Sequence, residues 1–147
     1  LTVFRNSVDG GEHVALWKGD LSSGPALVRV HALDLLDDVL GDSGSGRGGE
    51  VQEALRQIAE EGRGVVVLID EHRPQGLSER VKRRIEKRSW SPDSELRDYG
   101  LGAQILLDLG VRDMILLHNT RHTFVGMEGF GLAVVDQRPL KSTQEER

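Results

Sequence analysis

Residues 29–64 read RVHALDLLDDVLGDSGSGRGGEVQEALRQIAEEGRG, and this segment decides the fold of the chain. A strand-like run ends at His31, a glycine-rich loop covers residues 41–49, and an amphipathic helix begins near Glu50. The order of strand, polar loop and helix N-terminus is where α/β proteins usually place a ligand. We therefore expect functional residues along this segment.

A buried strand follows the predicted helix directly. Apolar residues recur at helical spacing along residues 50–62, from Val51 to Ile58, and Gly62 supplies a stop. Residues 64–70 (GVVVLID) form a short continuous apolar run, which is typical of a strand buried on both faces. Strand, helix and strand together predict a βαβ unit.

The rest of the chain predicts further strands and helices around this unit. Asp9, Gly10 and Gly11 separate two alternating runs, which is a strong hairpin signal. Strands are predicted over residues 2–8, 12–21, 26–33, 113–118 and 132–139, helices over residues 77–88 and from residue 94 or 95 to 110, and a short turn or helix over residues 124–131. The expected fold is α/β, a three-layer α/β/α arrangement with a mixed central sheet. It occupies residues 1–140 as one domain, and residues 141–147 form a polar tail predicted to be disordered.

Composition excludes several classes of protein. The chain has 147 residues, 37% hydrophobic and 29% charged, which suits a soluble globular domain. It has no cysteine, so disulfides and thiolate metal sites are excluded, and this absence fits a cytoplasmic protein. The net charge of −5 argues against nucleic-acid binding. No apolar run approaches the roughly 20 residues of a membrane helix, and no signal peptide is visible. Because the chain starts at Leu1, we expect a fragment or processed product of a longer polypeptide.

Several stretches carry a resemblance to a known family. EEGRG, ELRDYGLGAQILLDLGV and GFGLAVVDQRPL, together with RVH, resemble GTP cyclohydrolase II, the enzyme that opens riboflavin synthesis. In that family a zinc ion bound by three cysteines supplies the water that opens the five-membered ring of GTP and releases formate. The resemblance is closest to the C-terminal half of fused enzymes whose N-terminal half is a 3,4-dihydroxy-2-butanone 4-phosphate synthase.

The zinc ligands of the family are missing here. Its three cysteines fall on Asp34, Ser45 and Arg47. Serine is a poor zinc ligand, and arginine places a permanent positive charge where the cation would lie. We predict no metal at this loop and no cofactor, with magnesium present only if a nucleotide still binds.

The resemblance also implies a set of site residues. It assigns substrate binding to Arg29, His31, Glu50, Glu71 and Arg73, and vestigial catalytic positions to Glu95 and Arg97. Glu50 replaces a glutamine of the family and places a negative charge near the position where the polyanionic nucleotide would bind. Glu95 and Arg97 have a simpler interpretation, since an acid in the first turn helps any helix. We expect Arg29, Arg73 and Arg97 to converge on one concave surface.

Three further features have both a functional and a simpler interpretation. Six basic residues lie between Arg80 and Arg88. Runs of charge are usually solvated helix faces, and that is the simpler interpretation. The functional interpretation is a patch that attracts anions. His118 and His122 have metal-ligand spacing only if they are helical, and they follow a strand instead. The loop of residues 41–49 lacks the Lys-Ser/Thr of a P-loop, so a flexible connector is the favoured interpretation.

The leading functional hypothesis is a GTP cyclohydrolase II-like domain that has lost ring-opening activity. It would serve dimerisation, stability or regulation of a fused synthase domain, and we expect a homodimer. The first alternative is an active GTP cyclohydrolase with altered metal dependence. The second is a binding module that senses GTP, another nucleotide or a flavin.

Overall fold

The structure, a computed structural model, describes residues 1–42, 44–70, 76–86, 92–119 and 128–141, with the backbone alone at residues 92–96 and 128. Within these residues six strands form one mixed sheet in the order β1-β2-β4-β3-β5-β6. The strands are β1 Thr2–Arg5, β2 Glu12–Lys18, β3 Ala26–Ala32, β4 Gly64–Ile69, β5 Asp113–His118 and β6 Ala133–Pro139. The helices are α1 Glu50–Glu61, α2 Leu77–Ile85 and α3 Pro92–Asp108.

The predicted βαβ unit is confirmed. Strands β3 and β4 pair in parallel, with Arg29 opposite Val66 and His31 opposite Leu68. Helix α1 lies between them in sequence and ends at Gly62, whose φ of +83° is the left-handed conformation that glycine adopts without strain. The amide of Gly62 donates to the carbonyl of Ile58 and closes the last turn.

Two helices cover opposite faces of the sheet, so the predicted three-layer α/β/α fold is confirmed. On one face α1 packs over a cluster made of Leu27, Ala54, Ile58, Val66 and Leu117. On the other face α3 packs over a larger cluster that includes Val28, Val65, Val67, Ala103 and Leu106. Successive side chains of β3 and β4 point to opposite faces of the sheet and belong to different clusters. Both faces are buried, and the sequences of these strands are therefore continuous apolar runs.

The sheet is antiparallel only at one end. Strand β1 pairs antiparallel with β2, and β2 pairs antiparallel with β4, while β4, β3, β5 and β6 run parallel. The predicted β1–β2 hairpin is confirmed, since the amide of Asn6 donates to the Gly11 carbonyl at 2.7 Å. Most predicted strands extend one to three residues beyond the observed ends.

Two local features differ from the prediction. Leu35–Val39 forms a single turn of π-helix, which the sequence pattern did not indicate. Helix α3 begins at Pro92, before the predicted residue 94, because proline is well suited to the first turn of a helix. Of the predicted segment 124–131, Glu128–Phe130 is a 3₁₀ turn and residues 124–127 lie outside the described residues, as does the tail from residue 142.

Within the described residues, none of the helices combines the length and the hydrophobicity that a membrane-spanning segment needs.

Candidate functional site

Polar side chains gather where the carboxyl end of β3 meets the first turn of α1. Arg29 and His31 lie on the α1 face of β3 and are both buried. Gly49 precedes α1 with a φ of +84° and turns the chain so that Glu50 begins the helix beside them. The βαβ geometry therefore brings together three residues that are separated by up to 21 positions in sequence.

Glu50 is the centre of this polar cluster. Its Oε2 accepts a hydrogen bond of 2.7 Å from Arg29 and its Oε1 accepts one of 2.8 Å from the side-chain amide of Asn119. The Nε of Arg47 lies 3.7 Å from the same carboxylate. Only 11% of the Glu50 side chain is exposed, so its charge is compensated inside the protein. The carboxylate occupies the helix N-terminus, where an anionic ligand would otherwise be favoured.

Arg29 is held from two sides. Besides Glu50, it donates through NH1 to the Leu117 carbonyl at 3.3 Å. Burial lowers the pKa of Arg29, and the charge of Glu50 opposes that shift. The guanidinium is thus already paired with a carboxylate of its own chain.

His31 links this cluster to the turn after β3. Its Nε2 donates to the Asp38 carboxylate at 2.9 Å, and its Nδ1 lies 3.7 Å from Glu50. Burial lowers the pKa of His31 below its ordinary value, although the hydrogen bond and charge of Asp38 act in the opposite direction. The charges of Arg29 and Arg47 lower it further. His31 is therefore a neutral imidazole near pH 7.

A second cluster lies next to the first, where α2 meets the turn after β3. The guanidinium of Arg84 donates to three carboxylates: NH1 to Asp37 at 2.8 Å and to Asp42 at 2.7 Å, and NH2 to Asp34 at 3.4 Å. Arg80, one turn earlier on α2, lies 3.7 Å from Asp34. We call these residues, Arg80 and Arg84 with Asp34, Asp37 and Asp42, the arginine–aspartate cluster.

Asp37 is the buried member of the arginine–aspartate cluster, with 3% of the residue exposed. Burial opposes its ionisation, but hydrogen bonds from Arg84 and Ser45 and the charges of Arg84 and Arg47 outweigh it, so the pKa of Asp37 is lowered. The hydrogen bond to Asp37 in turn raises the pKa of Arg84. Both groups are charged at neutral pH, and each stabilises the charge of the other.

The three positions that the resemblance matches to zinc cysteines each make other contacts. Asp34 caps the π-helical turn by accepting from the Leu36 amide at 2.8 Å. Ser45 donates to Asp37 at 2.5 Å and accepts from the Arg47 amide at 3.1 Å. The Arg47 side chain lies against Glu50. These donors do not fit a zinc ion, which needs thiolates, imidazoles or free carboxylates. Among the described residues no group of three histidine, cysteine or acidic side chains is arranged to hold a metal ion.

The predicted loop of residues 41–49 is anchored rather than a free connector. Asp42 reaches Arg84, and Ser45 reaches the buried Asp37. The basic run on α2 is accordingly not a uniformly solvated face, because Arg84 and Arg80 point at carboxylates while Arg83 pairs with Glu79 on the exposed side.

The predicted site residues have different outcomes. The structure brings Arg29, His31 and Glu50 together. Glu71 and Arg73 lie outside the described residues, so the convergence of the three arginines stays a prediction. Glu95 lies in α3, where the structure describes the backbone alone, and Arg97 is exposed on the same helix.

The two histidines do not form a described pair. His118 is buried at the end of β5, and His122 lies outside the described residues.

Sequence reasoning missed Asp37, Asp38 and Arg84. The run of basic residues between positions 80 and 88 was the one available signal for Arg84. Its aspartate partners lie 42 to 50 residues away in sequence, and no local pattern connects them.

Residues 1–139 match the GTP cyclohydrolase II family model, and the chain belongs to this family. Riboflavin biosynthesis protein RibBA of Bacillus subtilis (strain 168) is 41% identical over 158 residues, covering 97% of this chain and 39% of the relative. RibBA of Bacillus cereus (strain ATCC 14579) is 38% identical over 155 residues, with the same coverage. The chain thus spans about two fifths of the length of the curated relatives it matches.

A solved structure shares the fold. RibBX, a two-domain 3,4-dihydroxy-2-butanone 4-phosphate synthase from A. baumannii, superposes with a TM-score of 0.57 at 24% identity. The match covers 95% of this chain and 34% of that one.

Proposed function

We propose that this chain is a GTP cyclohydrolase II-like domain of riboflavin biosynthesis that has lost its zinc site and its ring-opening activity. The observation that carries the proposal is the position of Arg84. Its guanidinium lies among Asp34, Asp37 and Asp42, beside the loop on which the family would place its zinc thiolates. A permanent cation takes the role that a metal ion would have in neutralising this loop.

A metal ion at the same place would have to displace Arg84, because the carboxylates of Asp34, Asp37 and Asp42 already bind its guanidinium. Two positive charges about 4 Å apart repel by about 4 kcal/mol at the effective dielectric of a protein surface. The nearby Arg47 adds a second fixed positive charge. Without a bound metal there is no group to lower the pKa of an attacking water, and hydrolytic ring opening loses its nucleophile.

The polar cluster around Glu50 argues against the two alternative functions. A nucleotide would have to approach Arg29 while Glu50 already neutralises it at 2.7 Å. The carboxylate would also repel phosphate oxygens at the helix N-terminus. An active enzyme with altered metal dependence and a nucleotide-sensing module would both need this carboxylate to move or to be protonated.

The remaining role is structural or regulatory. The relatives are named as riboflavin biosynthesis proteins, and the structural neighbour as a two-domain synthase. We place this domain after a fused 3,4-dihydroxy-2-butanone 4-phosphate synthase domain, in the cytoplasm, where it supports dimerisation, stability or regulation of that partner. Magnesium enters only if a nucleotide binds.

The test is a formate assay with GTP, together with elemental analysis of the purified chain. We expect no formate above background in the presence of zinc or magnesium, and far less than one zinc per chain. Formate added to the same mixture controls for recovery. Turnover of GTP, or about one bound zinc per chain, would overturn the proposal.

A further inference from the structure

Helix α2 lies on the molecule without burying an apolar face. None of its nine residues is buried. Its apolar side chains, Leu77, Val81 and Ile85, recur at helical spacing, yet 49% of Leu77 and 76% of Ile85 are exposed. None of the three belongs to either core cluster of the sheet. Burial of apolar surface, which holds α1 and α3 on the sheet, therefore contributes little to the position of α2.

Two arginines make all the hydrogen bonds and ion pairs that join α2 to the rest of the described chain. Arg84 binds the carboxylates of Asp34, Asp37 and Asp42, and Arg80, one turn earlier, lies 3.7 Å from Asp34. Within the described ranges no backbone hydrogen bond links α2 to another element. The arginine–aspartate cluster is therefore the anchor of this helix.

The helix has little stability of its own. It has nine residues, fewer than the roughly 12 to 15 at which an isolated helix becomes marginally stable in water. Gly76 occupies the N-cap position and makes no side-chain capping hydrogen bond. Without its anchor α2 would lose its helical hydrogen bonds as well. Detachment and local unfolding of α2 are thus one event.

The anchor is partly open to solvent. Of the side chains of Arg84 and Asp42, 30% and 33% are exposed, so water and salt reach this side of the cluster. The Debye length falls from about 10 Å at 0.1 M salt to about 3 Å at 1 M, and exposed ion pairs weaken accordingly. Asp37 is buried, but its carboxylate would gain water if the helix left. Detaching α2 should therefore cost less free energy than unfolding the sheet, which two apolar clusters hold.

We propose that α2 is an ionic strap, which detaches as a local unit while the sheet and α1 stay folded. Detachment uncovers Asp37 and frees one side of the turn Leu35–Val39. The same turn carries Asp38, the partner of His31, so the strap lies one residue away from the polar cluster around Glu50. This open state goes beyond the role proposed for the domain, since it does not depend on whether GTP is turned over.

The experiment is amide hydrogen exchange of the isotope-labelled chain, followed residue by residue by NMR at pH 7 in about 0.05 M and about 1 M NaCl. Arg84→Ala removes the main anchor. Asp42→Asn weakens the anchor from the other side and leaves the pair of Arg84 with Asp37 in place. Arg83→Ala is the matched control, because Arg83 lies on the same helix but pairs with Glu79 within it.

In the parent chain at low salt, we expect the α2 amides to exchange at least about tenfold more slowly than an unstructured peptide and at least about a hundredfold faster than amides of β3 and β4. In 1 M NaCl, and in Asp42→Asn, the protection of α2 should fall at least about threefold. In Arg84→Ala it should come within about threefold of the unstructured peptide, while β3 and β4 keep at least about thousandfold protection. Arg83→Ala should stay within about twofold of the parent chain.

Three results would overturn the ionic strap. The first is exchange of α2 together with β3 and β4, which would mean that α2 opens only when the whole fold unfolds. The second is an α2 that has no protection in the parent chain, or whose protection is the same at both salt concentrations. The third is an equal effect of Arg83→Ala and Arg84→Ala. If Arg84→Ala does not fold, the salt series and Asp42→Asn decide.

Discussion

Arg84 and Asp37 form an ion pair in which the two partners have different surroundings. Asp37 is almost fully buried, whereas 30% of the Arg84 side chain is exposed. Removing one partner of a buried pair leaves an uncompensated charge, which costs more than the net value of the pair. The two residues should therefore be very sensitive to substitution even though such pairs contribute little net stability.

Replacing Arg84 by alanine should lower the free energy of unfolding by about 2 kcal/mol, because the buried Asp37 loses its counter-charge. Urea denaturation at pH 7 measures the effect. The matched control is Arg83→Ala on the same helix, since Arg83 lies 3.8 Å from the exposed Glu79 and should change stability by less than about 0.5 kcal/mol. Equal effects of the two substitutions would contradict the importance of the arginine–aspartate cluster.

Acidification from pH 7 should destabilise the fold through its buried histidines. The pKa of His31 is lowered in the folded state, so between that pKa and about 6.5 the unfolded chain binds the proton and the folded chain does not. The free energy of unfolding therefore increases with pH in this window, by up to about 1.4 kcal/mol per pH unit for one titrating group. His13, whose pKa is also lowered, acts with the same sign.

Chemical denaturation at a series of pH values between 5 and 8 tests this expectation. The His31→Gln variant should show a smaller slope than the parent chain, and its absolute stability is not the readout. A slope of opposite sign would mean that Asp38 and Glu50 outweigh burial and raise the pKa of His31. Below about pH 4, a further loss is expected as Asp37, whose pKa is lowered, takes up its proton.

At the scale of elements, the β3–α1–β4 unit is tightly packed at the start of β4, where there is no space for a side chain. A Cβ at Gly64, the first residue of β4, would lie 2.4 Å from the Leu27 carbonyl oxygen and 2.9 Å from Cγ1 of Ile58. The carbonyl belongs to β3, and Ile58 is part of the buried face of α1. Glycine at this position lets the strand and the helix approach each other.

Substituting Gly64 by alanine should therefore destabilise the fold by about 3 kcal/mol, because backbone and core atoms must both shift. Thermal and urea unfolding measure it. Gly129→Ala is the control, since a Cβ there meets nothing within 4 Å, and its effect should stay within about 0.5 kcal/mol. If Gly64→Ala changed the free energy of unfolding as little as the control, α1 would be able to shift away from the sheet at little cost.

The same unit shows how much of the structure follows from the sequence. Its helical spacing, apolar run and terminal glycines are local signals, and they predicted the βαβ unit. The choice of Arg29, His31 and Glu50 as site residues came instead from the resemblance to the family. The arginine–aspartate cluster could not be predicted in this way, because Arg84 and Asp37 are 47 residues apart and their pairing depends on where α2 lies. Charge alone does not specify which of six basic residues faces inward.

At the scale of the whole molecule, two separate features support the proposed loss of the family's chemistry. The arginine–aspartate cluster places the cation of Arg84 beside the loop of residues 41–49, and the Glu50 carboxylate lies at the start of α1, where it pairs with Arg29. If the domain has lost ring-opening activity as proposed, these two features would have to be reversed together to restore it.

We expect that restoring cysteines at positions 34, 45 and 47 will not restore formate release from GTP. Thiolates would supply zinc ligands, but Arg84 would still be held beside them by Asp37 and Asp42, which lowers the affinity for a second cation. Even a bound zinc would face a pocket in which Glu50 pairs with Arg29, and a displacement of reacting groups by about 1 Å can cost some hundredfold in rate. Adding Glu50→Gln to the triple-cysteine variant removes the carboxylate and separates these two causes. Formate and bound zinc are measured on the parent chain and on both variants. Formate from the triple-cysteine variant alone would mean that the missing thiolates were the single defect, and formate only after Glu50→Gln would identify the carboxylate as the second.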